Sequence, residues 1–187
     1  MDLGPPPLFS LINLKRKAHF RNSKQAMQIK NCYHLLIWRG KLLFRFNDGK
    51  PFPYIMNQRA KFIKKLTTYI FLGEFENKNV FLWDMSDSCD VLGNTGQIGS
   101  FNDADRNYHP DLPKGTYFCD LRNLLPVLNS EYANLCATAK GMHEWQKRVN
   151  FCQSCGGKLT SEKAGWEKTC KKCNFKQFPR IDPVVIC

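Results

Sequence analysis

An α+β fold is predicted: a small antiparallel or mixed β-sheet domain with one C-terminal helix, followed by a cysteine-knuckle ribbon. Three observations carry this expectation. Two pairs of aromatic, β-branched runs lie between residues 33 and 85, the apolar period turns helical after about Asn129, and two C-x-x-C pairs sit near the end.

Along the chain, residues 1–30 are read as a basic, flexible segment. Pro5, Pro6 and Pro7 precede Lys15, Arg16 and Lys17, and no acid follows Asp2 there. Such composition suits a mitochondrial transit peptide, but Asp2 and the prolines oppose the amphipathic helix one needs. Residues 33–38 and 41–46, joined by Arg39 and Gly40, form an expected hairpin with glycine supplying the turn. Asp48, Gly49, Pro51 and Pro53 are expected to close the second run. Residues 69–75 and 80–85 make a second hairpin across the polar stretch 76–79.

Residues 86–115 read as a long irregular loop, rich in Asp, Ser, Asn and Gly, and residues 117–121 as a short returning strand. With Ser130 as cap, Tyr132, Leu135, Cys136, Ala139, Met142 or His143, and Gln146 or Val149 then fall near one helix face. His143 is read as structural or exposed. Residues 31–150 are taken together as the N-terminal domain.

Composition narrows the function classes. The 187 residues hold 43% hydrophobic and 13% aromatic side chains, enough for a core, so disorder throughout is excluded. No run approaches 18 apolar residues, which leaves no transmembrane helix. The net charge of +12 is uneven: residues 1–65 carry 14 Lys and Arg against Asp2 and Asp48, the middle is acidic, and residues 151–187 are basic again. A solvated basic arm and a phosphate or nucleic-acid contact both fit that front. Asp84, Asp87 and Asp90 imitate a metal cluster, but their spacing suits neither a strand face nor an EF-hand, so they are read as solvated loop acids.

The nine cysteines are an odd number at uneven spacing, which argues against a secreted disulfide framework and for a reducing compartment. Cys152 and Cys155 form one C-x-x-C pair, Cys170 and Cys173 the other, with 14 residues between them. Two such turns supply tetrahedral S₄ coordination, and the closed shell makes structural Zn²⁺ the expected ion. A pair of redox dithiols and an iron–sulfur centre are the alternatives. Gly156, Gly157 and Asn174 follow the pairs and can adopt the positive φ a knuckle needs. The lysines around the pairs, Lys168 among them, would offset the charge of the centre or track a nucleic-acid backbone. Residues 151–180 are therefore a zinc ribbon, and Cys32, Cys89, Cys119, Cys136 and Cys187 are reduced, mostly buried thiols.

The end of the helix (Glu144, Trp145, Arg148) runs into Phe151, the first knuckle with Gly156 and Gly157, Trp166, Lys168 and the exit Phe178-Pro179-Arg180-Ile181-Asp182-Pro183. This order resembles the zinc ribbon of the NADH pyrophosphatase (NAD⁺ diphosphatase) branch of the Nudix hydrolases. Residues 71–75 and 80–83 resemble the N-terminal domain of that branch, so the likeness covers roughly residues 33–187. The resemblance implies hydrolysis of NADH to NMNH and AMP, removal of NAD-type caps from RNA in some members, and a homodimer. It implies Mg²⁺ or Mn²⁺ held by glutamates of a Nudix box. That box is absent: the glutamates are Glu74, Glu76, Glu131, Glu144, Glu162 and Glu167, and no two are adjacent.

Residues 181–187 are expected to begin the catalytic domain, the chain being a truncated product or an incomplete gene model and inactive alone. By the resemblance, Phe178 stacks on a nucleotide base; packing the ribbon on its neighbour is the other reading. The expected location is the cytoplasm, with mitochondrion and peroxisome as further candidates. The rival function is a zinc-ribbon module that binds nucleic acid through its basic ends.

Overall fold

The computed structural model describes residues 9, 13–22, 31–57, 63, 66–87 and 106–180. Arg59, Lys61, Lys64, Lys65, Cys89, Asp90, Cys187 and the exit residues 181–187 lie outside these. The α+β expectation holds. Strands β1 (Tyr33–Trp38), β2 (Lys41–Asn47), β3 (Lys50–Pro53), β4 (Tyr69–Phe75), β5 (Lys78–Asp84) and β6 (Thr116–Cys119) form one mixed sheet. Its order is β3-β2-β1-β5-β4, with β6 alongside β2, and β1 runs parallel to β5. Helices α1 (Leu121–Leu124) and α2 (Ser130–Arg148) follow, then β7 (Leu159–Glu162), β8 (Glu167–Cys170) and β9 (Lys176–Gln177) of a three-stranded ribbon sheet.

Two-residue turns with left-handed backbone set three hairpins, because that geometry matches the twist of the paired strands. They are Arg39 and Gly40 (φ 48° and 81°), Asp48 and Gly49 (49° and 76°), and Glu76 and Asn77 (49° and 59°). The third is two residues shorter than expected, so β5 starts at Lys78. The second is a correction: Asp48 and Gly49 do not end the sheet but fold β3 back on β2. Pro51 faces Phe46 and Pro53 faces Phe44, whereas Lys50 and Phe52 face Asn47 and Arg45. The prolines thus take alternate positions whose missing N–H groups point away from β2, which an edge strand tolerates.

The strand runs are continuously apolar because both sheet faces are covered. Leu35, Ile37, Leu42, Phe44, Leu72 and Leu82 pack with Leu135, Cys136, Ala139 and Met142 of α2. Leu36, Trp38, Leu43, Phe71, Phe81, Trp83 and Phe118 form the opposite core, where the buried Trp83 Nε1 donates to His34 Nδ1 at 3.0 Å. The last part of the long loop belongs to this structure too: Leu112 is buried, and Lys41 Nζ donates to Asn107 Oδ1 at 2.8 Å.

Strand β6 stops at Cys119, two residues early, because Asp120 caps α1 by accepting from the Arg122 N–H. On α2 the cap is Asn129 rather than Ser130; its side chain accepts from the Glu131 N–H at 2.9 Å. Gly141 sits on the exposed side of α2, and a Cβ there would meet nothing within 4 Å. Gly141→Ala should therefore raise stability by about 0.5–1 kcal/mol, read as an upward shift in the thermal midpoint.

Residues 13–22 of the basic segment lie against β4. Lys15 and Glu74 exchange both backbone hydrogen bonds, at 2.9 and 2.7 Å, and Leu14 is buried. Lys15 Nζ and Lys17 Nζ approach the Glu74 carboxylate at 3.3 and 3.2 Å. Gly73 makes the approach possible: its φ is 138°, and a Cβ would lie 2.3 Å from the Lys15 carbonyl oxygen. Gly73→Ala should detach this segment at a cost of about 2 kcal/mol, seen as faster hydrogen exchange at the Lys15 and Glu74 amides.

Candidate metal centre and the adjoining cleft

Each C-x-x-C pair folds into the same turn. Gly156 N–H donates to the Cys152 carbonyl at 2.9 Å, and Asn174 N–H to the Cys170 carbonyl at 2.8 Å. The residues after each pair carry the required left-handed backbone, φ 70° at Gly156 and 58° at Asn174. Gly157 serves differently: a Cβ there would lie 3.0 Å from Cys170 Sγ. The turns bring all four sulfurs within 4.8 Å of one another, with Cys152–Cys173, Cys155–Cys170 and Cys155–Cys173 separations of 3.6, 3.5 and 3.3 Å.

The donor set fits zinc. A tetrahedral centre with Zn–S bonds of about 2.3 Å has sulfur–sulfur edges of about 3.8 Å. Backbone N–H groups of Cys173 and Lys172 donate toward Cys170 and pull its thiol down to about 7. The Phe175 N–H acts likewise on Cys173, but the thiols of Cys155, Cys152 and Cys170 crowd it and drive it upward. Four thiolates this close repel one another without a cation among them. This is the one group of its kind among the described residues.

The ribbon is fastened to the sheet domain at named contacts. Lys168 is buried, and its Nζ donates to the carbonyls of Gln146 at 2.7 Å and Val149 at 2.5 Å. It satisfies the last turn of α2, where a cation is favoured, and is not at the surface, where it could track a nucleic-acid backbone. Trp166 Nε1 donates to the Phe71 carbonyl at 2.5 Å, and Gln146 Nε2 to that of Gly165 at 2.6 Å.

Asp84 is not a solvated loop acid. It ends β5 and accepts from the N–H and hydroxyl of Ser86; His143 Nε2 of α2 lies 3.3 Å away and Lys147 Nζ 3.7 Å. Burial works to raise the Asp84 carboxyl, but His143 and the Ser86 donors outweigh it and hold the group at about 2. His143 is buried, as one of its two sequence readings had it. Cys32, Cys119 and Cys136 are buried thiols outside any disulfide, and burial pushes Cys136 up to about 12.

Phe178 follows β9 and is 55% exposed. It lines a cleft of about 660 Å³ between α2, the ribbon and the N-terminal segment, together with Arg16, Arg21, Trp145, Trp166 and Arg180. The Arg21 guanidinium carbon lies 3.7 Å from the centroid of a Trp166 ring, and that of Arg16 5.9 Å. Nothing in the spacing of the sequence placed these arginines beside the ribbon; only the basic run at residues 15–17 hinted at a contact.

A family model described as the NADH pyrophosphatase-like rudimentary NUDIX domain matches residues 32–145. The NAD-capped RNA hydrolase NudC of Mycobacterium tuberculosis is 31% identical over 78 residues, 42% of this chain and 24% of that protein. The human mitochondrial NAD(P)H pyrophosphatase NUDT13 is 30% identical over 94 residues, 49% of this chain and 26% of its own. The chloroplastic Nudix hydrolase 19 of Arabidopsis thaliana is 39% identical over 54 residues, 28% of this chain and 12% of its own. The matches thus span about a quarter of the relatives' length or less.

Proposed function

This chain belongs to the NADH pyrophosphatase-like rudimentary NUDIX domain family of the Nudix hydrolases, and on that premise we propose that residues 1–187 are the substrate-presenting part of an NAD(H) diphosphatase. The parent reaction is NADH plus water to NMNH plus AMP, with NAD-capped RNA as a second substrate. Residues 31–150 serve as the N-terminal domain, 151–180 as a zinc ribbon, and 181–187 as the lead into the catalytic fold. The observation that carries the reading is the four-cysteine centre placed directly before an exposed aromatic, Phe178, at the rim of a basic cleft.

Zinc bound to Cys152, Cys155, Cys170 and Cys173 would be structural, since four thiolates leave no position for a reacting water. The ribbon sheet and the Trp166 and Lys168 contacts fix the direction in which the chain leaves toward Phe178. Phe178 would stack on a base, with Pro179 restricting the backbone beside it. Residues 1–187 do not fit a catalytic Mg²⁺ or Mn²⁺ centre, because their glutamates are dispersed and none is adjacent to another. Exposed Phe151 and Phe175 on the ribbon suit a homodimer contact. A reducing compartment is in keeping with the thiol centre, and no helix among the described residues is long and apolar enough to cross a membrane.

Product analysis tests the division of labour. Zinc-loaded residues 1–187 incubated with NADH or NAD-capped RNA and Mg²⁺ should release no AMP or NMNH. Turnover dependent on added Mg²⁺ would overturn it.

A further inference from the structure

The least compensated charge among the described residues is Arg21. Its Nε and Nη2 atoms are buried without a hydrogen-bond partner, and neither Arg21 nor Arg16 forms an ion pair among the described residues. A desolvated guanidinium with orphaned donors is costly, and a like charge beside it adds to the cost. Burial and the neighbouring Arg16 both press Arg21 toward losing its proton. What holds the side chain there is the Trp166 face, 3.7 Å from the guanidinium carbon, which is in turn anchored to the Phe71 carbonyl.

The position is held from both sides. Leu14 and the Lys15–Glu74 pairing fix the chain just before Arg16, and the short 3₁₀ helix Ala18–Arg21 delivers Arg21 to the ribbon. Arg180 opens into the same cleft from the ribbon exit, and Phe178 flanks it. Three guanidinium groups and an exposed aromatic therefore meet in one concavity. Among the described residues that line the 660 Å³ cleft there is no carboxylate.

We propose that this cleft is a phosphate-ester site for a nucleotide, with Arg16 and Arg21 as its anion-binding pair and Trp166 as the platform that orients Arg21. An incoming phosphate accepts from a guanidinium fork in charge-assisted bonds and removes the repulsion between the two arginines. The base of the same nucleotide lies against Phe178, so this assignment rests on the stacking reading above for its base half only. The phosphate belongs either to a free nucleoside 5′-phosphate or to the backbone of a single-stranded RNA. The chemistry recognised is the same.

Fluorescence titration of the zinc-loaded full chain with adenosine, AMP and a 5′-phosphorylated oligoadenylate tests the site. AMP should bind at least tenfold more tightly than adenosine at low salt. Arg16→Gln, at an exposed position that no hydrogen bond among the described residues uses, should remove most of that advantage, and Arg21→Gln all of it, while Arg21→Lys retains part. Phe178→Ala should weaken adenosine and AMP by the same factor. If Phe178→Ala changes neither while the arginine variants still act, the stacking reading fails and the phosphate site stands. Oligoadenylate binding more tightly than AMP, with steep salt dependence, identifies an RNA backbone as the source; AMP binding as well as the oligomer identifies a free nucleotide. Equal binding of AMP and adenosine, or an AMP advantage that survives Arg16→Gln together with Arg21→Gln, overturns the proposal.

Discussion

Zinc removal is expected to unfold residues 151–180 while leaving the large sheet folded. The ribbon core is small: Cys152, Leu159 and Cys170 are its buried members, so a metal held by the four cysteines would supply what apolar burial does not. Structural zinc contributes apparent free energies on the order of 10 kcal/mol, far above what three short strands can gain by pairing. Cys170 has the most to lose because it is fully buried and closes both β8 and the second knuckle. Cys170→Ser should abolish stoichiometric zinc binding, and a strong chelator should do the same to the unaltered chain. Amide NMR signals from 151–180 should collapse on chelation and return on adding Zn²⁺, while those of β1, β4 and β5 persist. The sheet signals should still shift near Phe71, whose carbonyl loses the Trp166 donor. Iron–sulfur absorbance in the visible, or a ribbon that keeps its dispersion without metal, would point away from a zinc site.

Asp84→Ala is expected to cost the sheet domain about 3 kcal/mol, because it leaves the Ser86 donors without their acceptor and the buried His143 without the carboxylate 3.3 Å from its Nε2. The same carboxylate makes stability depend on pH. Its folded value of about 2 lies below the unfolded reference near 3.8. Stability from this group is therefore fully present above the unfolded value and is lost as pH falls through the folded one, between about pH 4 and pH 2. Its size is about 2 kcal/mol. Thiolate ligands protonate and release metal on acidification as well, so the sheet must be followed by its own signals, such as those of Trp83 and Leu82. Urea midpoints from pH 7 to pH 2 should fall in the original chain and fall less in Asp84→Ala. Parallel curves would show that Asp84 is not the group responsible.

Local patterns were legible in the sequence, and tertiary partners were not. The hairpins were readable because aromatic runs flank Gly40, and the knuckles because Gly156 and Asn174 follow cysteine pairs at a fixed offset. β3 was hidden because prolines mark a turn unless their register is known, and Pro51 and Pro53 are harmless only at alternate edge positions. Asn129 and Ser130 are both good caps, and only backbone geometry chose between them. Asp84 was misread because its partner, His143, is 59 positions away on another element. Lys168 looked like one more basic surface residue, yet it plugs the end of α2. For Arg21 no local pattern distinguishes an arginine in solvent from one laid over Trp166.

The most direct test of a nucleotide-presenting ribbon is equilibrium dialysis of NADH against zinc-loaded residues 1–187 with Mg²⁺ present, run beside Phe178→Ala. NADH should be retained and recovered intact by the original chain, and the variant should bind at least tenfold more weakly. Retention unchanged by Phe178→Ala, or recovery of AMP and NMNH in place of NADH, would contradict it.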